Sequence, residues 1–157
     1  MRFAVVCSVK DEGPFLVEWV TWYRMLGFKR LVVITNDCTD HSPELLDTLE
    51  AAGWVTHLRC TIPPGRRITA TKLALARQTP FVYRADWLFV CDVDEFLVIH
   101  AGDHRITDLV THPGQPFLGM SINWKVFGDS GYRCWEDGLT HRTHTYAAPS
   151  GHSTSRW

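Results

Sequence analysis

Long apolar runs, an excess of charge of one sign and paired cysteine motifs are all missing from this sequence, and each absence removes a class of protein. No segment approaches the roughly 20 consecutive apolar residues of a membrane-spanning helix. The opening Met1-Arg2-Phe3-Ala4-Val5-Val6-Cys7 is too short in its apolar part for a signal peptide and has no small-residue cleavage site, so it reads as a first buried strand. Lys and Arg number 16 against 17 Asp and Glu, a formal net charge of -1. That near balance gives none of the basic field that steers a chain to nucleic acid or anionic lipid. The cysteines Cys7, Cys38, Cys60, Cys91 and Cys134 are odd in number and form no CxxC pair. Reduced thiols in a cytoplasmic protein are the expectation.

What is present suits one domain: 157 residues, 45% of them apolar. Phe3 to Cys7 reads as a strand. Pro14 then stands where a first helical turn tolerates it, and Phe15, Leu16, Trp19, Val20, Tyr23 and Leu26 follow at helical spacing up to a capping Gly27. Leu31 to Ile34 is a second strand. Ser42 as N-cap and Pro43 as first residue open a second helix that Gly53 ends, and Trp54 to Leu58 is a third strand. A helix over roughly residues 69–78 follows the loop Ile62 to Arg67. Trp87 to Cys91 is the most apolar strand and is expected to be fully buried, with Asp92-Val93-Asp94-Glu95 immediately after it. Ile106 to Val110 suggests a short helix and Phe117 to Trp124 another strand. From about Thr143 to Trp157 the chain is small, polar and without periodicity, so a poorly ordered tail is expected.

Strands alternating with helices predict an α/β fold with a mostly parallel sheet and helices on both faces. Ligands of such sheets bind beyond the carboxyl ends of the strands. Three segments lie there: Lys10-Asp11-Glu12, Asn36-Asp37-Cys38-Thr39-Asp40, and Asp92-Val93-Asp94. Asp92 and Asp94 flank Val93, so both carboxylates point to one side if the strand persists. Hard oxygen donors of this kind suit Mg²⁺ or Mn²⁺ shared with substrate phosphates. A lone DxD arises easily by chance; one that leaves a buried strand is more specific. For Asp11 and Glu12 a rival role is complementing a helix dipole. For Asn36, Asp37 and Thr39 it is ordinary turn chemistry, and Asp40 reads as help in capping the second helix. Arg66, Arg67 and Lys72 could meet a diphosphate, although solvated surface is the commoner fate of such residues. Two histidine pairs, His100 with His104 and His141 with His144, lack companion cysteines at zinc-finger spacing and read as surface.

The ordered set Val9-Lys10-Asp11-Glu12-Gly13-Pro14 with Glu18-Trp19, Gly27-Phe28, Thr35-Asn36-Asp37-Cys38-Thr39-Asp40, Asp92-Val93-Asp94-Glu95-Phe96 and Trp124-Lys125-Val126-Phe127-Gly128 resembles the glycosyltransferase family 2-like group. The resemblance covers about residues 3–142 and implies a GT-A-type, Rossmann-like three-layer sandwich as one domain over 1–142, with 143–157 as the tail. It implies a metal-dependent transferase moving a sugar, a hexose or related unit, from a UDP- or GDP-sugar to a glycan or other hydroxyl acceptor, with inversion. By resemblance Lys10, Asp11, Glu12, Asp37, Lys72 and Asp92 line the nucleotide-sugar pocket, and Asp92 and Asp94 hold Mn²⁺ or Mg²⁺, with His141 or His144 a conceivable further ligand. Trp124 and Phe127 would stack on a sugar or pack as core. Inverting transfer needs a carboxylate base, for which Asp137, beside Glu136, is the candidate. The family-like pattern fades near Arg142, so a non-catalytic or truncated nucleotide-sugar-binding module is the alternative. A nucleotidyltransferase would share paired acids and Mg²⁺, but no glycine-rich loop follows the first strand.

Overall fold

The computed structural model describes residues 1–134 and 136–149. Two compact units divide the chain, Met1–Gln115 and Pro116–Trp157. The first is an α/β layered unit. Its strands are β1 (Phe3–Val9), β2 (Arg30–Thr35), β3 (Thr56–Arg59) and β4 (Trp87–Cys91). Between and after them come α1 (Gly13–Met25), α2 (Ser42–Ala51), α3 (Ile68–Ala76), the short α4 (Pro80–Tyr83) and α5 (Ile106–Thr111). All strand pairs are parallel in the order β3-β2-β1-β4. That is the order of a Rossmann-like half-sheet, and it confirms the expected α/β sandwich around a parallel sheet.

The run Phe3-Ala4-Val5-Val6-Cys7 is apolar at every position because β1 is central and covered on both faces. Alternate residues divide between two cores. Phe3, Val5, Cys7 and Val9 join Leu31 and Val33 beneath α1 and α2, where Leu16, Trp19, Val20, Tyr23 and Leu46 are buried. Val6, Val32 and Ile34 face the other way, against Ala76 of α3 and Val82 of α4. Each large side chain buried so completely contributes about 1.5–3 kcal/mol relative to exposure. Tyr23, Phe28 and Phe89 form a three-ring cluster with centroid separations of 5.6, 5.9 and 6.3 Å.

Gly27 closes α1 in a left-handed conformation (φ 99°). The Gly27 N–H donates to Arg24 O and the Phe28 N–H to Tyr23 O, both at 3.1 Å, the paired bonds of a Schellman cap. Gly53 repeats the device after α2. The helix start differs by one residue from expectation. His41, not Ser42, is the N-cap of α2, and the Ser42 side chain is taken by other partners described below.

Two further expectations fail. Strand β4 is not fully buried: Leu88 is 43% and Val90 47% exposed, because β4 is an edge strand and the helices α3 and α4 pack over β1 and β2 instead. No strand forms over 117–124 among the described residues; Leu118, Met120, Ile122 and Trp124 alternate correctly, but the segment has no ladder partner, and alternation without a neighbour leaves backbone groups unpaired. Within the second unit, Phe127 and Ala147 form an isolated antiparallel bridge, and the short α6 (Thr140–Thr143) lies between them in sequence. Of the polar tail, residues 150–157 lie outside the described residues. No helix is long and apolar enough to cross a membrane among those described, and all five cysteines are free thiols.

Candidate functional site

From β1 the chain winds outward through β2 to β3, and β4 then returns to the opposite flank of β1. The crossovers diverge at the carboxyl ends of β1 and β4, where open parallel sheets leave a crevice. A cleft of ≈ 350 Å³ lies at this end of the sheet, lined by Ser8, Val9, Lys10, Glu12, Asn36, Asp37, Ile62, Ile68 and Lys72. Of the residues expected to bind a nucleotide-sugar, Lys10, Glu12, Asp37 and Lys72 therefore share one concavity.

Of the two cations that line this cleft, Lys10 is exposed and Lys72 is buried. Lys72 sits on α3 among Ile, Ala, Leu and Thr and is only 2% exposed. Its Nζ donates to Ser8 Oγ at 2.8 Å and to the Val9 carbonyl at 3.2 Å, and burial pushes its pKa down. Ser8 went unremarked in the sequence. The signal was there, since it is the polar residue on the β1 face that otherwise carries Ala4 and Val6.

Asp37 is exposed on the cleft rim in a left-handed conformation (φ 48°), and its Oδ2 accepts from Asn36 Nδ2 at 3.0 Å. Asp11 is also left-handed (φ 57°) but does not line the cleft. Its Oδ1 instead accepts the N–H groups of Thr39 and Asp40. Asp40 answers from the other loop, with Oδ2 accepting the Gly13 N–H at 3.1 Å and the Ser42 hydroxyl at 2.7 Å, and Oδ1 accepting the Ser42 N–H at 3.0 Å. The Ser42 hydroxyl in turn accepts the Glu12 N–H at 3.2 Å. The loops after β1 and β2 are thus stitched together by the side chains of Asp11, Asp40 and Ser42, for which the sequence suggested helix-start roles. Among the described residues, the group of three metal-type ligand atoms that cluster is that of Asp11, Cys38 and Asp40. Both carboxylates there are already occupied by backbone amides.

Asp92 and Asp94 follow β4, but the strand does not persist through them. It ends at Cys91, and the Glu95 N–H donates to the Asp92 carbonyl at 3.2 Å, closing a turn. Val93 is fully buried while both aspartates are exposed, so the carboxylates reach solvent by a turn rather than by strand alternation. Glu95 Oε2 accepts the Asp92 N–H at 3.0 Å. Glu12 joins this acidic group from β1: burial first, then the charges of Asp94 and Asp92, hold its carboxyl above the usual range, against the lowering effect of the Lys10 N–H. Glu95 is raised by burial and by the same two aspartates. Glu12 thus lines the cleft and also feels the charges of the acidic turn.

Carboxylates gathered so that like charge adds to burial, as at Glu12 and Glu95, are a setting in which a divalent cation would be favourable. Asp92 and Asp94 are not among the residues that line the cleft and do not form a three-ligand group among the described residues. As exposed hard-oxygen donors they are of the type Mg²⁺ or Mn²⁺ takes together with water or phosphate oxygens. Arg66 and Arg67 are exposed and outside the cleft lining. Asp137 and Glu136 belong to the second unit and are exposed there, as is Trp124 at 67%, which rules out a core role for that ring. Neither histidine pair joins a three-ligand group among the described residues.

No protein-family model matches the chain, and no curated protein matches it in sequence. Among solved structures, the crystal structure of S. aureus TarS residues 1–349 overlaps part of the fold with a TM-score of 0.41 and 14% identity, over 61% of this chain and 28% of that one.

Proposed function

We propose that the chain binds a nucleoside-diphosphate sugar in the cleft at the carboxyl end of its sheet and transfers the sugar to an acceptor hydroxyl with a divalent metal. The observation that carries this reading is the placement of Glu12, which lines the cleft and also feels the charges of Asp92 and Asp94. Under this reading Glu12 would link the nucleotide pocket to the metal-holding turn after β4.

Each residue has a distinct task. Asp37 and Asn36 offer an acceptor and a donor on the rim, suited to a base imide or ribose hydroxyls. Lys72 brings positive charge beneath the cleft, where a low-dielectric setting strengthens its pull on phosphate oxygens. Asp92 and Asp94 would hold Mn²⁺ or Mg²⁺. Bound there, the cation would neutralise charge developing on the diphosphate leaving group. Asp137 is the proposed base for the acceptor hydroxyl, with inversion at the anomeric carbon.

Calorimetric titration of a panel of UDP- and GDP-sugars, with and without Mn²⁺, tests the reading. Metal-dependent binding followed by donor hydrolysis or transfer supports an enzyme. Binding without turnover supports a non-catalytic module, and no binding of any donor removes the proposal.

A further inference from the structure

We infer that Thr35, His57 and Asp47 form a hydrogen-bond relay running from the buried end of β2 to the surface, which sets the position of the Asn36–Asp37 rim and makes His57 a positioning residue for the nucleotide. The inference rests on the proposed donor site. His57 lies on β3, and its side chain is fully buried. Its Nε2 is 2.8 Å from Thr35 Oγ1 and its Nδ1 is 2.8 Å from Asp47 Oδ1, on α2. The relay continues to solvent through Arg59, whose Nη2 donates to Asp47 Oδ2 at 2.5 Å.

Chemistry assigns the direction of each bond. Asp47 lies well below the ordinary carboxylate value, at about 2, through its hydrogen bonds to Arg59 and then His57. An ionised carboxylate only accepts, so Nδ1 carries the proton; in the neutral ring Nε2 then accepts from the Thr35 hydroxyl. The buried atoms of the relay, Thr35 Oγ1 and both ring nitrogens of His57, all have partners, as buried polar groups must.

Placement at the cleft gives the relay its consequence. Thr35 ends β2, and the next two residues line the cleft. Its carbonyl accepts the Cys60 N–H at 2.8 Å, so both its side chain and its backbone are tied to the β3 side. Two residues on, Asp37 occupies the left-handed region, where a non-glycine residue stays only if its surroundings hold it. Apolar packing at positions 35 and 57 would fill the space, but it would leave the rotation of the strand end undetermined. Directional bonds determine it.

UDP and GDP, each with Mn²⁺, would be titrated into the wild-type chain and into Thr35→Val, Thr35→Ser, His57→Asn, His57→Gln and Asp47→Ala, with a melting curve for each. Thr35→Val and His57→Asn, which lose the 35–57 bond, are expected to weaken binding by about tenfold. Thr35→Ser, which keeps the hydroxyl, and His57→Gln, whose amide oxygen can still accept from it, should stay within about threefold. Asp47→Ala, at a half-exposed position, reads the relay from its far end and should also weaken binding. Equal affinity in wild type and Thr35→Val, failure of Thr35→Ser to rescue, or losses that simply follow melting temperature across the set would overturn the relay. Absence of nucleotide binding in the wild type would instead remove the donor-site reading, and the relay's role with it.

Discussion

The Tyr23 hydroxyl, on α1, donates to the backbone carbonyl of Glu95 at 3.0 Å and accepts the Leu97 N–H at 3.3 Å. The core-facing side of α1 therefore grips the segment that leaves the acidic turn. Trp22 adds a second hold one residue earlier, its Nε1 donating to the Leu97 carbonyl at 2.9 Å. Tyr23→Phe keeps the ring packing and removes the hydroxyl, leaving the Leu97 N–H and Glu95 carbonyl short of a partner. The expected loss is about 1–3 kcal/mol of unfolding free energy, measured by urea denaturation. Weaker metal-dependent nucleotide binding should accompany it, since the turn carrying Asp92 and Asp94 loses its anchor.

Asp94→Asn and Asp92→Asn remove charge at nearly constant shape. The expectation is a loss of roughly tenfold or more in the Mn²⁺-dependent part of UDP or GDP affinity, with metal-free binding nearly unchanged. Calorimetry with and without chelator separates the two. Equal losses in both conditions would count against metal binding at this pair.

Lys72→Met keeps the aliphatic stem in place and deletes the ammonium. Ser8 Oγ and the Val9 carbonyl lose a donor, while the cost of burying a charge disappears, so stability should change by no more than about 1 kcal/mol. Diphosphate affinity should fall by about tenfold. A thermal melt paired with UDP titration reads both effects, and a variant that binds UDP normally would exclude Lys72 from the phosphate site.

Acid titration has a defined direction at the start of the sheet. Asp86 Oδ2 accepts the Arg2 N–H at 2.7 Å and Oδ1 accepts Arg2 Nη2 at 2.8 Å, an ion pair that lowers the Asp86 pKa from 3.8 to about 2. A carboxylate depressed in the folded state stabilises fully above its unfolded pKa, and that stabilisation is lost as pH falls through the folded value. Asp86→Asn should therefore flatten the part of the melting-temperature profile lying between about pH 4 and pH 2, and should lower the melting temperature at neutral pH.

Legibility in the sequence followed how local each signal was. The strands β1 and β2 and the helix α1 announced themselves because burial on two faces gives continuous β-branched runs, and burial on one gives helical spacing. Gly27 and Gly53 were readable as caps for the same local reason. Position in the sheet was not readable: Leu88 and Val90 look like core residues until β4 proves to be an edge. The alternation through Leu118, Met120 and Ile122 predicted a strand that needs a neighbour, and neighbours are a tertiary property. Of the cleft residues, Lys10, Glu12 and Asp37 were legible from strand ends, whereas Lys72 read as a cation whose commoner fate is solvated surface and is instead buried. Ser8, the Tyr23 anchor and the His57 relay depend on contacts between segments far apart in the chain. Asp11 was legible as a strand-end acid, but its partner, the loop at Thr39, was not.

The reciprocal bonds of Asp11 with Thr39 and of Asp40 with Gly13 mean that the loops after β1 and β2, which both line the cleft, cannot shift independently. A wall prearranged in this way gives up little conformational freedom when a nucleotide arrives, so more of the contact energy is retained as affinity. Cutting either tie, for instance with Asp11→Ala, would make ligand capture slower and more temperature-sensitive even though no group touching the ligand had changed.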